Sequence, residues 1–361
     1  MGNRKLFILY PFSLLYGLIT GIRNLLYDLK ILPSEEFTVP VICVGNITVG
    51  GTGKTPHTEY LVSLLSGNFR VAVLSRGYKR KSKGFLIADE SSAVKDIGDE
   101  PLQIFRKFPG IIMAVDADRR NGIKRIMQKF PSTDVIILDD GFQHRRVKPG
   151  LSILLTDYNR LVTRDILMPC GRLRENRLNR KRAGIIIVSK TDPEISENEV
   201  ADIRNELQTS PDQKVFFTKI VYRDAVAVFK ENNTDSNPFS TDDRGEKAVI
   251  LITGIASPAG LKKHLQNYFS EIVHLDFPDH HNFTPEDIDT INSAWLKPGT
   301  SQKIVVTTEK DAVRLREFTN IAPEILKAFY YLPVEVCFLK DTKHEFDSLI
   351  FDYVRKNKGN S

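Results

Sequence analysis

A lysine and a threonine close a glycine-rich run at residues 48–56, Thr-Val-Gly-Gly-Thr-Gly-Lys-Thr-Pro. Glycines at 50, 51 and 53 free backbone N–H groups to turn toward an anion, and a helix starting behind them adds partial positive charge. Phosphate is the ligand such a loop suits. Thr48, Val49, Gly50, Gly51, Thr52 and Gly53 would wrap it, Lys54 would reach the terminal phosphates, and the Thr55 hydroxyl would sit on Mg2+. Thr48 stands where the general pattern has its first glycine. An apolar run from Val39 to Val44 precedes the loop and a helical stretch, Glu59 to Leu65, follows it. With both flanks correct, the chain is expected to handle a nucleoside triphosphate.

Further polar residues fall where such a fold presents chemistry. Asp139 and Asp140 end the run Val-Ile-Ile-Leu, the place of a carboxylate that helps hold Mg2+. Side chains alternate along a strand, so one can face the metal while the other orients a neighbour. Asp99, in Gly98-Asp99-Glu100-Pro101, reads equally as a helix cap and as a base for a hydroxyl. Asp116, Asp118, Arg119 and Arg120 follow the third strand and could face the same cleft. His280, in Phe277-Pro278-Asp279-His280, is a lone histidine, and its residue type does not single it out. Ser189-Lys190-Thr191-Asp192 is similar to the Asn/Thr-Lys-x-Asp guanine reader of G proteins. Leu138-Asp139-Asp140-Gly141, however, lacks the Asp-x-x-Gly switch spacing of those proteins. Partitioning-type ATPases share the glycine pattern, but Val49 replaces their signature lysine.

The elements that must position these residues are legible as periodicity. Apolar runs at Val71–Leu74, Ile111–Val115, Val135–Leu138, Ile153–Leu155 and Ile185–Val188 alternate with helical segments such as Pro101–Phe108 and Arg120–Lys129. Continuous apolar strands between helices predict a mostly parallel sheet covered on both faces, an α/β P-loop domain over residues 33–214. Residues 215–246 predict a linker: two β-rich runs, Val215–Val221 and Ala225–Phe229, as a hairpin or paired strands, then a polar loop. A smaller second α/β domain, 247–361, would use Val249–Thr253, Ile272–Leu275, Ile304–Thr307 and Val334–Phe338.

The 361 residues are 41% hydrophobic and 27% charged, the balance of an ordinary globular protein. The net charge of +6 is unevenly placed, with basic clusters at Lys79–Lys83 and Arg172–Arg182 that suit acidic partners. No aromatic residues interleave in the second cluster, which argues against nucleic acid. Three scattered cysteines give neither a disulfide framework nor a zinc spacing.

Residues 1–32 carry an uncharged stretch, Leu6 to Ile22, between Arg4, Lys5 and Arg23. No cleavage site marks a signal peptide. A spanning helix needs about 20 apolar residues, and this stretch is shorter. Leu15, Leu18, Ile22, Leu25 and Leu29 recur on one helical face, with Tyr10, Tyr16 and Tyr27 nearby. That pattern predicts a helix lying in a membrane surface rather than packing its stripe on the chain's own core.

Taken in order, the motifs resemble the tetraacyldisaccharide 4'-kinases, the lipid A 4'-kinases of Gram-negative bacteria. The resemblance runs through Val44-Gly45-Asn46 with Thr48–Pro56, Ser75-Arg76-Gly77-Tyr78, Gly98–Pro101, Asp118-Arg119-Arg120, Asp139–His144, Gly171-Arg172-Leu173-Arg174-Glu175, Phe277–His280 and Thr307–Asp311. It implies transfer of the ATP γ-phosphoryl group to the 4'-hydroxyl of an acylated disaccharide 1-phosphate, forming lipid IVA. A cytoplasm-facing enzyme on the inner membrane follows, with no obligate protein partner. By position, Lys54 and Thr55 would hold phosphate and Mg2+, Asp139, Asp140 and Glu175 would complete the metal site, and Arg119 or Arg120 would meet transition-state charge. Asp99 would be the base, paired with His280. The competing reading is a membrane-surface P-loop NTPase acting as a nucleotide switch.

Overall fold

The computed structural model describes residues 2–231, 239, 247–297 and 302–358. In chain order the helices are α1 (Gly2–Asp28), α2 (Lys54–Ser66), α3 (Val94–Ile97), α4 (Asp99–Lys107), α5 (Arg119–Lys129), α6 (Glu197–Leu207), α7 (Ala259–Leu265), α8 (Pro285–Leu296), α9 (Glu309–Leu315), α10 (Pro323–Leu326) and α11 (Lys343–Lys358). The strands are β1 (Val41–Gly45), β2 (Val71–Ser75), β3 (Leu86–Ile87), β4 (Ile112–Val115), β5 (Val135–Asp139), β6 (Leu151–Asp157), β7 (Ile185–Ser189), β8 (Lys214–Tyr222), β9 (Val226–Ala227), β10 (Lys247–Thr253), β11 (Glu271–Asp276), β12 (Gln302–Thr308), β13 (Phe329–Leu332) and β14 (Val334–Phe338).

The chain divides into two compact units, the first comprising Met1–Ile220 with Val336–Ser361, the second Val221–Glu335. A nine-stranded sheet in the order β14-β8-β7-β6-β1-β5-β2-β4-β3 runs through the first. From β8 to β4 every neighbouring pair is parallel, so the carboxyl ends of these strands share one edge. Strands β1, β2, β5 and β7 are buried along their whole length. Covered faces of that kind demand the uninterrupted valine and isoleucine runs that the sequence carries. The second unit holds a five-stranded sheet, β11-β10-β12-β13-β9, parallel apart from the β13–β9 pair.

Two expectations about the linker and the carboxyl terminus change. The runs 215–221 and 225–229 are not a hairpin, because β8 pairs with β7 in the large sheet and β9 with β13 in the small one. Strand β14 likewise joins the large sheet, beside β8, and β13 takes the place expected for it in the second unit. Aromatic packing explains the return. Phe346 of α11 is 1% exposed and meets the rings of Phe216 at 5.3 Å and Phe338 at 4.6 Å. Tyr60 of α2 donates to Asp347 at 2.6 Å, and the Tyr353 hydroxyl bonds both N–H and C=O of Val41. Helix α11 is thus fastened to the first unit. The expected polar loop at 231–246 lies almost wholly outside the described residues.

Helix α1 is attached the opposite way round from an ordinary surface helix. Several of its polar side chains face the protein: Ser13 donates to the Leu167 carbonyl and accepts from Cys170 N–H, and Tyr16 donates to the Arg174 carbonyl at 2.8 Å. Asn24, 4% exposed, donates to Glu175. The guanidinium groups of Arg23 and Arg145 lie 5.4 and 5.2 Å from the Tyr27 ring centre. Gly17 permits the close approach, since a Cβ there would lie 2.7 Å from Leu167 Cδ1. Leu15, Leu18, Ile22, Leu25 and Leu29 are each at least half exposed. The stripe does not pack on the chain's own core. No described helix is long and apolar enough to cross a membrane.

Candidate functional site

The phosphate loop leaves β1 at Gly45 and enters α2 at Lys54. Its shape is fixed from three sides. Asn46 Nδ2 donates to Thr52 Oγ1 at 2.8 Å, and Ser189 Oγ donates to the Thr52 carbonyl at 2.8 Å. Residues 47–49 run against 172–174, with Val49 N–H on the Arg172 carbonyl and Arg174 N–H on the Ile47 carbonyl. Gly53 precedes α2 with φ 83°, a left-handed conformation that costs a residue with a Cβ and costs glycine little. Beneath it His57 is 3% exposed, and burial pushes its imidazole down to about 4. The ring is therefore neutral at pH 7. Nδ1–H donates to the Gly53 carbonyl at 2.7 Å, which leaves Nε2 to accept from Thr218 Oγ at 3.1 Å.

The two adjacent aspartates part company at the end of β5. Asp140 adopts φ 48°, and its carboxylate sits 3.8 Å from Lys54 Nζ and 3.7 Å from Arg174 Nη1. Asp139 is 1% exposed and accepts from Thr58 Oγ at 3.2 Å and Ser75 Oγ at 3.1 Å. Burial, then the charges of Glu100 and Asp140, push its carboxyl up to about 6. Gly98, at the start of α4, lies against the Gly77 and Tyr78 backbone just past the end of the neighbouring strand β2. Asp99 is the first residue of that helix, 4% exposed, with one oxygen on Glu100 N–H. Gly98, not Asp99, is the cap residue.

The arginines divide as well. Arg119 is 2% exposed, donates to the carbonyls of Asp116 and Asp139, and has its guanidinium pushed down to about 10 by burial. Such a group holds the β5 end in place rather than reaching outward. Arg120 is part-exposed with Nε 3.7 Å from Asp118, the cap of α5. Arg180 is spent on the Leu207 and Arg177 carbonyls, and Arg182 on Glu175. The basic run 172–182 is thus partly internal and not one solvated patch.

Glu175 is drawn into a different set of partners from the aspartates. Its Oε2 accepts from Asn24, Asn179 and Arg182, while Oε1 is buried without a protein partner. Among the described residues no three His, Cys, Asp or Glu side chains gather tightly enough to hold a metal unaided. Mg2+ characteristically takes one or two carboxylates and completes its shell with phosphate oxygens and water. The Thr55 hydroxyl and the Asp140 carboxylate beside the loop fit that requirement. His280 belongs to the second unit, where its Nε2 lies 3.0 Å from Lys310 Nζ and Nδ1 3.4 Å from Arg314 Nη2.

A family model described as tetraacyldisaccharide-1-P 4'-kinase matches residues 5–354. The chain belongs to this family. The tetraacyldisaccharide 4'-kinase of Phocaeicola vulgatus is 47% identical over 98% of this chain and 96% of its own length. That of Flavobacterium johnsoniae is 43% identical over 97% of each. A crystal structure of the Aquifex aeolicus kinase in complex with ATP is 29% identical, with a TM-score of 0.72 over 97% of this chain and 99% of that one. Within a tetraacyldisaccharide 4'-kinase, three residues that residue type alone did not single out now stand at the loop. Arg174 lay inside a quoted motif, Lys190 inside the Ser-Lys-Thr-Asp run, and His57 carried no local signal at all.

Proposed function

We propose that this chain transfers the γ-phosphoryl group of ATP to the 4'-hydroxyl of a tetraacyldisaccharide 1-phosphate while α1 lies in the cytoplasmic surface of the inner membrane. One observation carries the reading. Segment 167–175 takes the polar face of α1 on one side and pairs with the phosphate loop on the other. A helix with an apolar outer face is thereby bolted to the place where phosphate would sit. A substrate with four acyl chains stays in the bilayer, since each buried CH2 is worth about 0.8 kcal/mol. The enzyme must work at that surface.

In this reading the loop amides and Lys54 bind the triphosphate, and Arg174 and Arg120 add positive charge where it builds up on the phosphoryl oxygens. Thr55 and Asp140 hold Mg2+, which neutralises charge on the phosphates. Asp139 keeps Thr58 and Ser75 in register beneath them, and, as the resemblance implies, its charge adds to the metal site, so a neutral residue there would lose transfer. Asp99 takes the proton of the 4'-hydroxyl, and the resemblance adds His280 to the transfer machinery.

The deciding experiment supplies γ-labelled ATP, Mg2+ and detergent-dispersed disaccharide 1-phosphate, with Lys54→Ala as the blank. Label in a bisphosphorylated lipid, absent from the blank, is the expected result. Label released only as free phosphate would point instead to a membrane-surface NTPase. For the helix, Leu18→Asp with Ile22→Asp should lower partition onto anionic vesicles about 10- to 100-fold, because two leucine-sized side chains no longer leave water. Co-sedimentation equal to wild type would remove α1 from the membrane.

A further inference from the structure

The run Ser189-Lys190-Thr191-Asp192 takes no part in phosphoryl transfer as described above, yet it grips the phosphate loop. It leaves the carboxyl end of β7, two strands from β1, on the edge that carries the loop. Ser189 Oγ donates to the Thr52 carbonyl, and Lys190 Nζ donates to the Gly51 carbonyl at 2.5 Å and lies 3.0 Å from Asp157 Oδ2. Lys190 takes φ 55°. Thr191 is locked by its N–H on the Thr218 carbonyl and its hydroxyl on the Val188 carbonyl. Asp192 is exposed, with Oδ1 on Glu194 N–H.

These contacts define a surface. With its amine on the Gly51 carbonyl and Asp157, the Lys190 side chain spans from the end of β7 to the loop, and a four-carbon stem held at its far end in this way can carry a flat ring. Two residues further on, the Asp192 carboxylate is a hydrogen-bond acceptor. Adenine offers such an acceptor its single amino group. Guanine offers a ring N–H and an amino group side by side, spaced to meet both oxygens of one carboxylate.

We propose that residues 189–192 form the nucleobase end of this site, and that Asp192 lets the chain take guanine nucleotides as well as ATP. The inference rests on the kinase reading only for where the phosphates lie. Its test is equilibrium binding without lipid: displacement of a fluorescent ATP analogue by ATP, GTP or XTP in Mg2+, for wild type and Asp192→Asn. GTP should compete within about tenfold of ATP on wild type. In the variant GTP should weaken about tenfold or more, while XTP, whose C2 carbonyl suits an amide donor, should strengthen and overtake it. ATP should move by less than about threefold, since it lacks the paired donors. GTP that fails to compete at a hundredfold excess, or an unchanged GTP-to-XTP ratio in the variant, overturns the proposal. A gain for XTP cannot arise from misfolding. Label transfer from ATP to lipid is measured separately, so either reading can fail without the other.

Discussion

Asp99→Ala lowers phosphoryl transfer about 100- to 10,000-fold and leaves ATP binding within about twofold, the expected signature of a lost general base. Asp99 is the first residue of α4, directly after Gly98, and its carboxylate accepts from Glu100 N–H. A group so buried has no solvent-facing task. Gly98, which precedes it, lies against the backbone of Gly77 and Tyr78, just past the end of β2, the strand beside the one that ends in Asp139. Asp99→Asn keeps the shape and removes the basicity, so it should fall as far as alanine. The bland alternative is a carboxylate that merely favours the amino end of a helix, worth about 1 kcal/mol of stability. Near-normal turnover in both variants, with a lowered melting temperature, would establish that alternative and remove Asp99 from the chemistry.

A second large effect concerns Asp139, where activity and stability should move in opposite directions. Its carboxyl titrates near 6 in the folded protein, above the ordinary aspartate range, because burial and two neighbouring acids disfavour its charge. The sign follows from proton binding. Between about pH 4 and pH 6 the folded state holds a proton that the unfolded chain has released, so stability falls as pH rises through that window. Above it the full penalty applies, on the order of 2–3 kcal/mol at pH 7. Asp139→Asn removes the charge while the hydroxyls of Thr58 and Ser75 rotate to suit an amide. Denaturant unfolding without nucleotide should show the variant more stable than wild type at pH 7, and the difference should shrink toward pH 4. Transfer should be largely lost. A variant no more stable at pH 7 would mean that the folded state does not strain this charge.

What the sequence discloses follows a physical boundary. The central strands are legible because burial on both faces forces unbroken apolar runs, as in Ile185–Val188 and Val135–Leu138. The phosphate loop is legible because a local turn and a local charge make it. Strand β14 has the composition of any strand, and nothing in Val-Glu-Val-Cys-Phe announces a partner more than a hundred residues upstream in β8. The same holds for Glu175, whose partners Asn24 and Arg182 come from separate elements. Amphipathicity of α1 is visible at once, yet its docking face is set by Ser13, Tyr16 and Asn24, which read as ordinary interruptions. The left-handed turn at Asp140, which separates two adjacent carboxylates, leaves no mark in residue type.

The docking of α1 also sets an order in time. Ser13 bonds a carbonyl 154 residues downstream, and Tyr16 one that is 158 residues downstream. At translation rates of about 5–20 residues per second, some ten to thirty seconds pass before those acceptors leave the ribosome. For that interval the helix has none of these partners, and its apolar side can meet a bilayer first. The rest of the protein would then be synthesised onto a helix already lying in lipid, and α1 would be the foundation of the fold and not its last attachment.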